Sequence, residues 1–328
     1  MNRVHEVSSA FHQAKILLAG AELGVFDRLR GDGATAQEVA AAIGGTLRGT
    51  EILLDALVAL GFITKHDGVY RNVPEYEADL VDDSPSHTIG ILRHRNRLFR
   101  GWAFLEEVIT GRPVPYEPSS TESDATANEN FIRAMYAVSH QTAGSIVDRI
   151  DLAGVKTVAD LAGGPGHYLA EFVRRAPAVD PYLIDLPPTL EVARRIQRGN
   201  PLAERFHYVA WDVYGSDAPR SLPPLDLVFV SQLVHAASAA ENRELLRRIF
   251  PVVSPGGRVV IHEKIVDRDR TSPVEAAVFA VNMLAMTEGG RTYTVAEIEE
   301  WGRDAGFEPL RDDRVNDSSH LVYLRRAN

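Results

Sequence analysis

The chain contains no cysteine among its 328 residues, so neither a disulfide nor a thiolate metal site can contribute to its fold or chemistry. Methionine (4) and tryptophan (3) are scarce. Positive charge is the minority sign: 35 Lys and Arg against 45 Asp and Glu leave a net charge of −10, which opposes a polyanionic partner such as nucleic acid. No apolar run approaches the ~18 residues of a membrane span. The stretch Ile16–Ala21, interrupted by Glu22, is too short and badly placed for a signal peptide. These absences point to a cytoplasmic protein with neither a nucleic acid nor a membrane as partner. What is present, 45% hydrophobic and 24% charged residues, is ordinary globular composition, and the length accommodates two domains.

Residues 1 to about 100 read as helices closed by a hairpin. Thr35-Ala-Gln-Glu38 is a capping box opening a helix over 36–43. Leu53, Leu54, Leu57, Val58 and Leu60 recur at helical spacing before the stop at Gly61. The runs 62–65 and 69–72 flank His66-Asp67-Gly68, a hairpin signal. Helix, helix and hairpin make a winged-helix arrangement, which raises DNA binding as a function. The would-be recognition helix, 46–60, carries Arg48 against Glu51 and Asp55, the wrong charge for a groove. Pro113, Pro115, Pro118 and the polar run Ser119–Asp124 mark a loop or linker, so domains are expected over 1–112 and 113–328.

From Lys156 onward, short apolar runs alternate with helical patterns. Strands are expected at 156–161, 182–186, 206–209, 225–230 and 258–263, with helices at 167–175, 189–198 and 240–250. That alternation predicts an α/β fold with a parallel sheet covered on both faces, and 308–311 with 320–324 predict an antiparallel edge pair. The first strand runs into Asp160-Leu-Ala-Gly163-Gly164-Pro-Gly166-His167. Glycines there let the backbone approach a ligand closely, and the helix behind them offers unpaired N–H groups to an anion. The spacing is neither a dinucleotide fingerprint nor a phosphate loop. Two more acids follow strands: Asp185, suited to both hydroxyls of a ribose, and Asp212, placed to meet an adenine amino group. Each alone is also a plausible helix cap; three in order favour a nucleoside site.

Asp-x-x-Gly-Gly-x-Gly resembles the first motif of class I S-adenosylmethionine (SAM)-dependent methyltransferases. From Phe11 onward the chain is similar to the O-methyltransferase family that includes plant caffeate, hydroxyindole and bacterial hydroxyneurosporene-type enzymes. The matching stretches are Ala21–Phe26, Leu54–Gly61, the glycine loop, Ile184–Pro187, Leu233-Val-His235, Pro255–Gly257, Val260–Glu263 and Ala305–Phe307. The resemblance implies a Rossmann-like SAM-binding domain behind a mainly helical winged-helix dimerisation domain, a homodimer, and a small, aromatic acceptor from secondary metabolism. It implies His235, ending the fourth strand of the sheet, as general base, and Glu263 as its orienting partner. SAM would be held by Ser139, Asp160, Gly163, Gly164, Gly166, Asp185, Leu186, Asp212, Val213 and Ser231. Phe131, Met135, Asn282, Met283 and Met286 would line the acceptor pocket. No metal is expected.

The chain departs from the family pattern in three places. His235 is followed by Ala236-Ala237 rather than Asp-Trp, Thr292 stands where a second glutamate is expected, and Ser231-Gln232 replace a basic residue near the adenine. These leave open methylation at sulfur, nitrogen or carbon, or a relative that binds SAM without transferring its methyl group. A metal-assisted reaction using His235 and His262 is opposed by the strand period, which turns His262 and Glu263 to opposite faces. Arg93 and Arg97 share a helix face that suits either an acceptor carboxylate or solvent.

Overall fold

The computed structural model describes residues 2–82, 88–116 and 125–328. The polar run Ser119–Asp124 and Pro118 lie outside the described residues. The chain forms two compact units, Met1–Arg100 with Arg133–Val138, and Gly101–Ile132 with Ser139–Asn328.

The first unit contains helices α1 (Arg3–Ser9), α2 (Phe11–Glu22), α3 (Val25–Arg28), α4 (Ala36–Ile43), α5 (Leu47–Ala59), α6 (Pro74–Leu80) and most of α7 (Thr88–Trp102). The Thr35–Glu38 capping box forms as its spacing predicts and starts α4. Strands β2 (Ile63–His66) and β3 (Val69–Asn72) pair antiparallel, and β1 (Ala34–Thr35) adds to the free edge of β3. The turn is the two residues Asp67 and Gly68, both left-handed (φ 49° and 77°). This is the twist a tight hairpin needs, so His66 joins the strand. Phe26, Val39, Leu54, Leu57 and Ile63 form the core of this unit.

The second unit opens with α8 (Leu105–Thr110) and contains both ends of α9 (Ala125–Val147). Its strands are β4 (Thr157–Leu161), β5 (Asp180–Asp185), β6 (His207–Ala210), β7 (Leu225–Ser231), β8 (Val253–Lys264), β9 (Phe307–Arg314) and β10 (Ser319–Arg326). Its helices are α10 (His167–Arg175), α11 (Pro187–Ile196), α12 (Ala239–Ile249), α13 (Val274–Met286) and α14 (Val295–Asp304). The seven strands lie in the order β6-β5-β4-β7-β8-β10-β9, all running one way except β10, which pairs antiparallel with both β8 and β9. Side chains alternate between two cores. Val228, Val230, Val259 and Ile261 face α12 and α14, whereas Leu227, Phe229 and Val260 face α10 and α11. Burial on both faces is why these strands read as continuous apolar runs. The periodicity assigns no element to 264–307, where α13 and α14 lie. Helix α13 is apolar almost all round, so it has no stripe to detect.

Chain order reverses between β4 and β7, so the crevice at their carboxyl ends is the ligand site such a sheet offers. Leu57 is fully buried in the first unit. Leu57→Ala is expected to lower stability by ~2–5 kcal/mol, read as a fall in the guanidinium midpoint at unchanged slope.

Candidate active site

At the end of β4 the backbone turns through Ala162 and Gly164, both with φ 53°, and Gly166 with φ 77° before entering α10. Gly163 cannot carry a side chain: a Cβ would lie 2.6 Å from both Asp160 Cγ and Leu183 Cδ1. Among the described residues nothing lies within 4 Å of a Cβ built on Gly164, so that side of the loop faces none of them. Gln197 Nε2 braces the loop by donating to the Pro165 carbonyl at 2.7 Å.

Two carboxylates meet under this loop. Asp185 Oδ2 accepts from Gly164 N at 2.8 Å, and Oδ1 accepts from Leu186 N at 2.7 Å. Each oxygen keeps a lone pair for a further donor. Asp160 is fully buried, and among the described residues neither of its carboxyl oxygens has a hydrogen-bond partner. Burial, then the nearby charge of Asp185, push its pKa up to about 8. Asp212 is exposed, and its Oδ1 accepts from Tyr214 N and Gly215 N at 3.2 and 2.9 Å, an Asx turn beside buried Val213. Ser139 Oγ lies 2.7 Å from His167 Nε2.

These residues fit SAM. Asp185 presents the acceptor pair a ribose diol needs, and the glycine turn leaves its face clear.

The strand carrying the expected base ends earlier than the apolar run suggests. β7 stops at Ser231, Gln232 turns left-handed (φ 53°), and His235 sits in a 3-10 turn, Val234–Ala236. There its Nδ1 lies 2.8 Å from Glu263 Oε1, while its backbone N donates to Glu263 Oε2 at 3.3 Å. Glu263 is fully buried on β8, and Oε1 also accepts from Lys264 N at 2.8 Å. An ionised carboxylate only accepts, so a neutral His235 ring facing it donates from Nδ1 and leaves its lone pair on Nε2. The His235 ring stands edge-on to Phe279, with centroids 4.9 Å apart at 84°. Phe279 has no sequence signal, being one apolar residue in an apolar helix.

His262, the next residue back along β8, turns the other way. Its Nδ1 meets Ser231 Oγ at 3.0 Å and its Nε2 meets Ser319 Oγ at 2.8 Å, so neither nitrogen is directed toward His235. Burial pulls its pKa down to about 4, which keeps the ring neutral.

Of the expected acceptor residues, Asn282, Met283 and Met286 lie on α13 and Phe131 on α9, all in the second unit; Met135 belongs to the first. Asn282 Oδ1 accepts from Trp102 Nε1 at 2.9 Å, across 180 residues. Arg93 is occupied by Asp82 at 2.5 Å, and Arg97 Nη2 lies 3.4 Å from His94 Nδ1.

A seven-stranded sheet of this order, with a glycine turn and a ribose-type carboxylate at its switch point, defines a Rossmann-like nucleoside-binding protein. The chain belongs to the O-methyltransferase family: the O-methyltransferase domain model matches residues 107–308 and the O-methyltransferase dimerisation domain model matches 5–75. It is 31% identical to the 3-hydroxy-5-methyl-1-naphthoate 3-O-methyltransferase of Streptomyces sahachiroi, over 94% of this chain and 90% of that one. It is 28% identical to the tetracenomycin polyketide synthesis 8-O-methyltransferase of Streptomyces glaucescens, over 98% and 95%. An O-methyltransferase family protein from Burkholderia thailandensis superposes with a TM-score of 0.84 at 28% identity, over 99% and 97%. The protein is a SAM-dependent O-methyltransferase.

Two outcomes test the cofactor cradle. Gly163→Ala is expected to weaken SAM binding at least about tenfold by calorimetry with the circular dichroism unchanged. Asp160 stays protonated in the folded chain up to about pH 8 but ionises near 3.8 when unfolded, so it costs stability increasingly as pH rises between those values. Asp160→Asn, free of that cost, is expected to raise the Tm of the SAM-free protein by more at pH 8 than at pH 5. A pH-independent difference would contradict the buried-acid assignment.

Proposed function

We propose that the chain methylates a hydroxyl of a small aromatic secondary metabolite, with His235 as general base and Glu263 as the residue that orients it. The observation that carries this reading is the double grip of one buried carboxylate on both the ring and the backbone of His235. Bound SAM supplies an electrophilic methyl group on sulfur. The acceptor hydroxyl must lose its proton as its oxygen attacks, and His235 Nε2 takes it. Glu263 accepts from Nδ1–H throughout, which stabilises the imidazolium that results. Burial of Glu263 lowers the local dielectric and strengthens its interaction with His235.

For the cofactor, we assign Asp185 with Leu186 to the ribose, Asp160 with Gly163, Gly164 and Gly166 to the methionyl end, and Asp212, Val213 and Ser231 to the adenine, with Ser139 beside the loop. Phe279 joins Phe131, Asn282, Met283 and Met286 in the acceptor set. Aromatic acceptors suit these apolar side chains, and the names of the naphthoate and polyketide relatives agree. The match to a dimerisation-domain model supports a homodimer built through a winged-helix portion, residues 1–112, with catalysis in 113–328. The absence of cysteine suits a cytoplasmic location.

Purified protein incubated with methyl-labelled SAM and a panel of phenols is expected to label at least one phenolic oxygen, followed by mass spectrometry. In His235→Ala, kcat for that phenol is expected to fall about 100-fold or more with SAM affinity retained. Undiminished transfer would remove His235 as the base.

A further inference from the structure

The turn that carries His235 is Leu233-Val-His-Ala-Ala237, and His235 provides its only polar side chain. Within the turn the Leu233 carbonyl accepts from Ala236 N at 3.0 Å and the Val234 carbonyl accepts from Ala237 N at a long 3.4 Å, so further donors to Val234 and Ala237 must come from side chains outside it. Asn242 on α12 is fully buried. Its Nδ2 donates to the Val234 carbonyl at 2.8 Å and to the Ala237 carbonyl at 3.3 Å, one on each side of His235. Its Oδ1 accepts from Tyr214 OH at 2.9 Å, which fixes which way the amide faces. Tyr293 OH makes a second donation to the Ala237 carbonyl at 2.6 Å. A side chain on Gly290 would fall onto the His235 carbonyl.

We propose that Asn242 is the positioning residue of this site: its amide spans the His235 turn and, held by Tyr214 and seconded by Tyr293, sets where the imidazole stands. Glu263 fixes the ring and the His235 amide from one side, and Asn242 fixes the flanking carbonyls from the other. In a chain whose own turn offers only Ala236 and Ala237 beside the histidine, this support comes from Asn242 on α12, five residues beyond Ala237. The inference rests on the reading of His235 as the base. It adds that the base's position depends on a group that touches neither SAM nor acceptor.

Asn242→Asp tests it, because aspartate keeps the shape and the acceptor for Tyr214 but, when ionised, donates nothing to the two carbonyls. Hydrogen exchange at the His235 and Ala237 amides is expected to quicken at least about tenfold, with Val228 and Val260 in the sheet unchanged. For a phenol labelled by the native chain, kcat is expected to fall about tenfold or more while the KM for SAM stays within about twofold. In a His235→Ala background the same substitution is expected to lower kcat no further. Tyr293→Phe, which removes one donor without burying a charge, is expected to act in the same direction with smaller size, and it carries the test if Asn242→Asp does not fold. Unchanged exchange at His235 and Ala237 together with unchanged kcat in a folded variant would overturn the proposal. Full activity in His235→Ala would defeat the base assignment instead, and the exchange measurement would still decide whether Asn242 holds the turn.

Discussion

A fully buried carboxylate is expensive unless every lone pair that matters is met by a donor. Glu263 meets that constraint with three: the ring Nδ1 of His235, the His235 amide and the Lys264 amide. The arrangement around it follows. The acid can sit on β8 only because the turn after β7 bends back far enough to bring an imidazole and a backbone N–H to it together. That bend needs the left-handed Gln232 and the short 3-10 turn behind it. The histidine is therefore placed by the requirements of the acid as much as the acid orients the histidine.

The sheet explains why the other polar groups collect nearby. Reversal of chain order between β4 and β7 parts the connections above their carboxyl ends. Asp160, Asp185, Ser231 and Glu263 all stand at or near the ends of adjacent strands on this side. The middles of the central strands, Val158-Ala159 of β4, Leu227–Val230 of β7 and Val259–Ile261 of β8, are apolar on both faces. At this rim a ligand can complete the hydrogen bonds of the polar residues. Asp160 shows the cost of waiting: with no partner among the described residues, it is held protonated well above the usual carboxylate range.

Much of this was legible in the residues because the local signals were chemically specific. The capping box at Thr35, the Asp67-Gly68 turn and the glycine run before His167 each demand a particular backbone, and each forms where the spacing puts it. The acids after strands were visible for the same reason. The strand expected at 225–230 forms over 225–231, but His235 does not end it: Leu233 and Val234 continue the apolar pattern, while the break is a backbone feature at Gln232 that a side-chain pattern does not encode. Asn242 looks like any polar residue in Glu-Asn-Arg-Glu, and only the fold turns it toward the His235 turn. Phe279 and the Trp102–Asn282 bond depend on contacts between distant segments, which periodicity cannot reveal.

The central claim is that Glu263 fixes His235 in the tautomer with its proton on Nδ1 and a lone pair on Nε2. The most direct test is a long-range proton–nitrogen NMR spectrum of protein labelled with 15N-histidine, with the His235 resonances assigned by substitution. The account predicts a protonated Nδ1 and a pyridine-type Nε2 at pH 7.5, with that preference weakened in Glu263→Gln. A proton on Nε2 in the native chain, or a tautomer indifferent to the loss of Glu263, would contradict it.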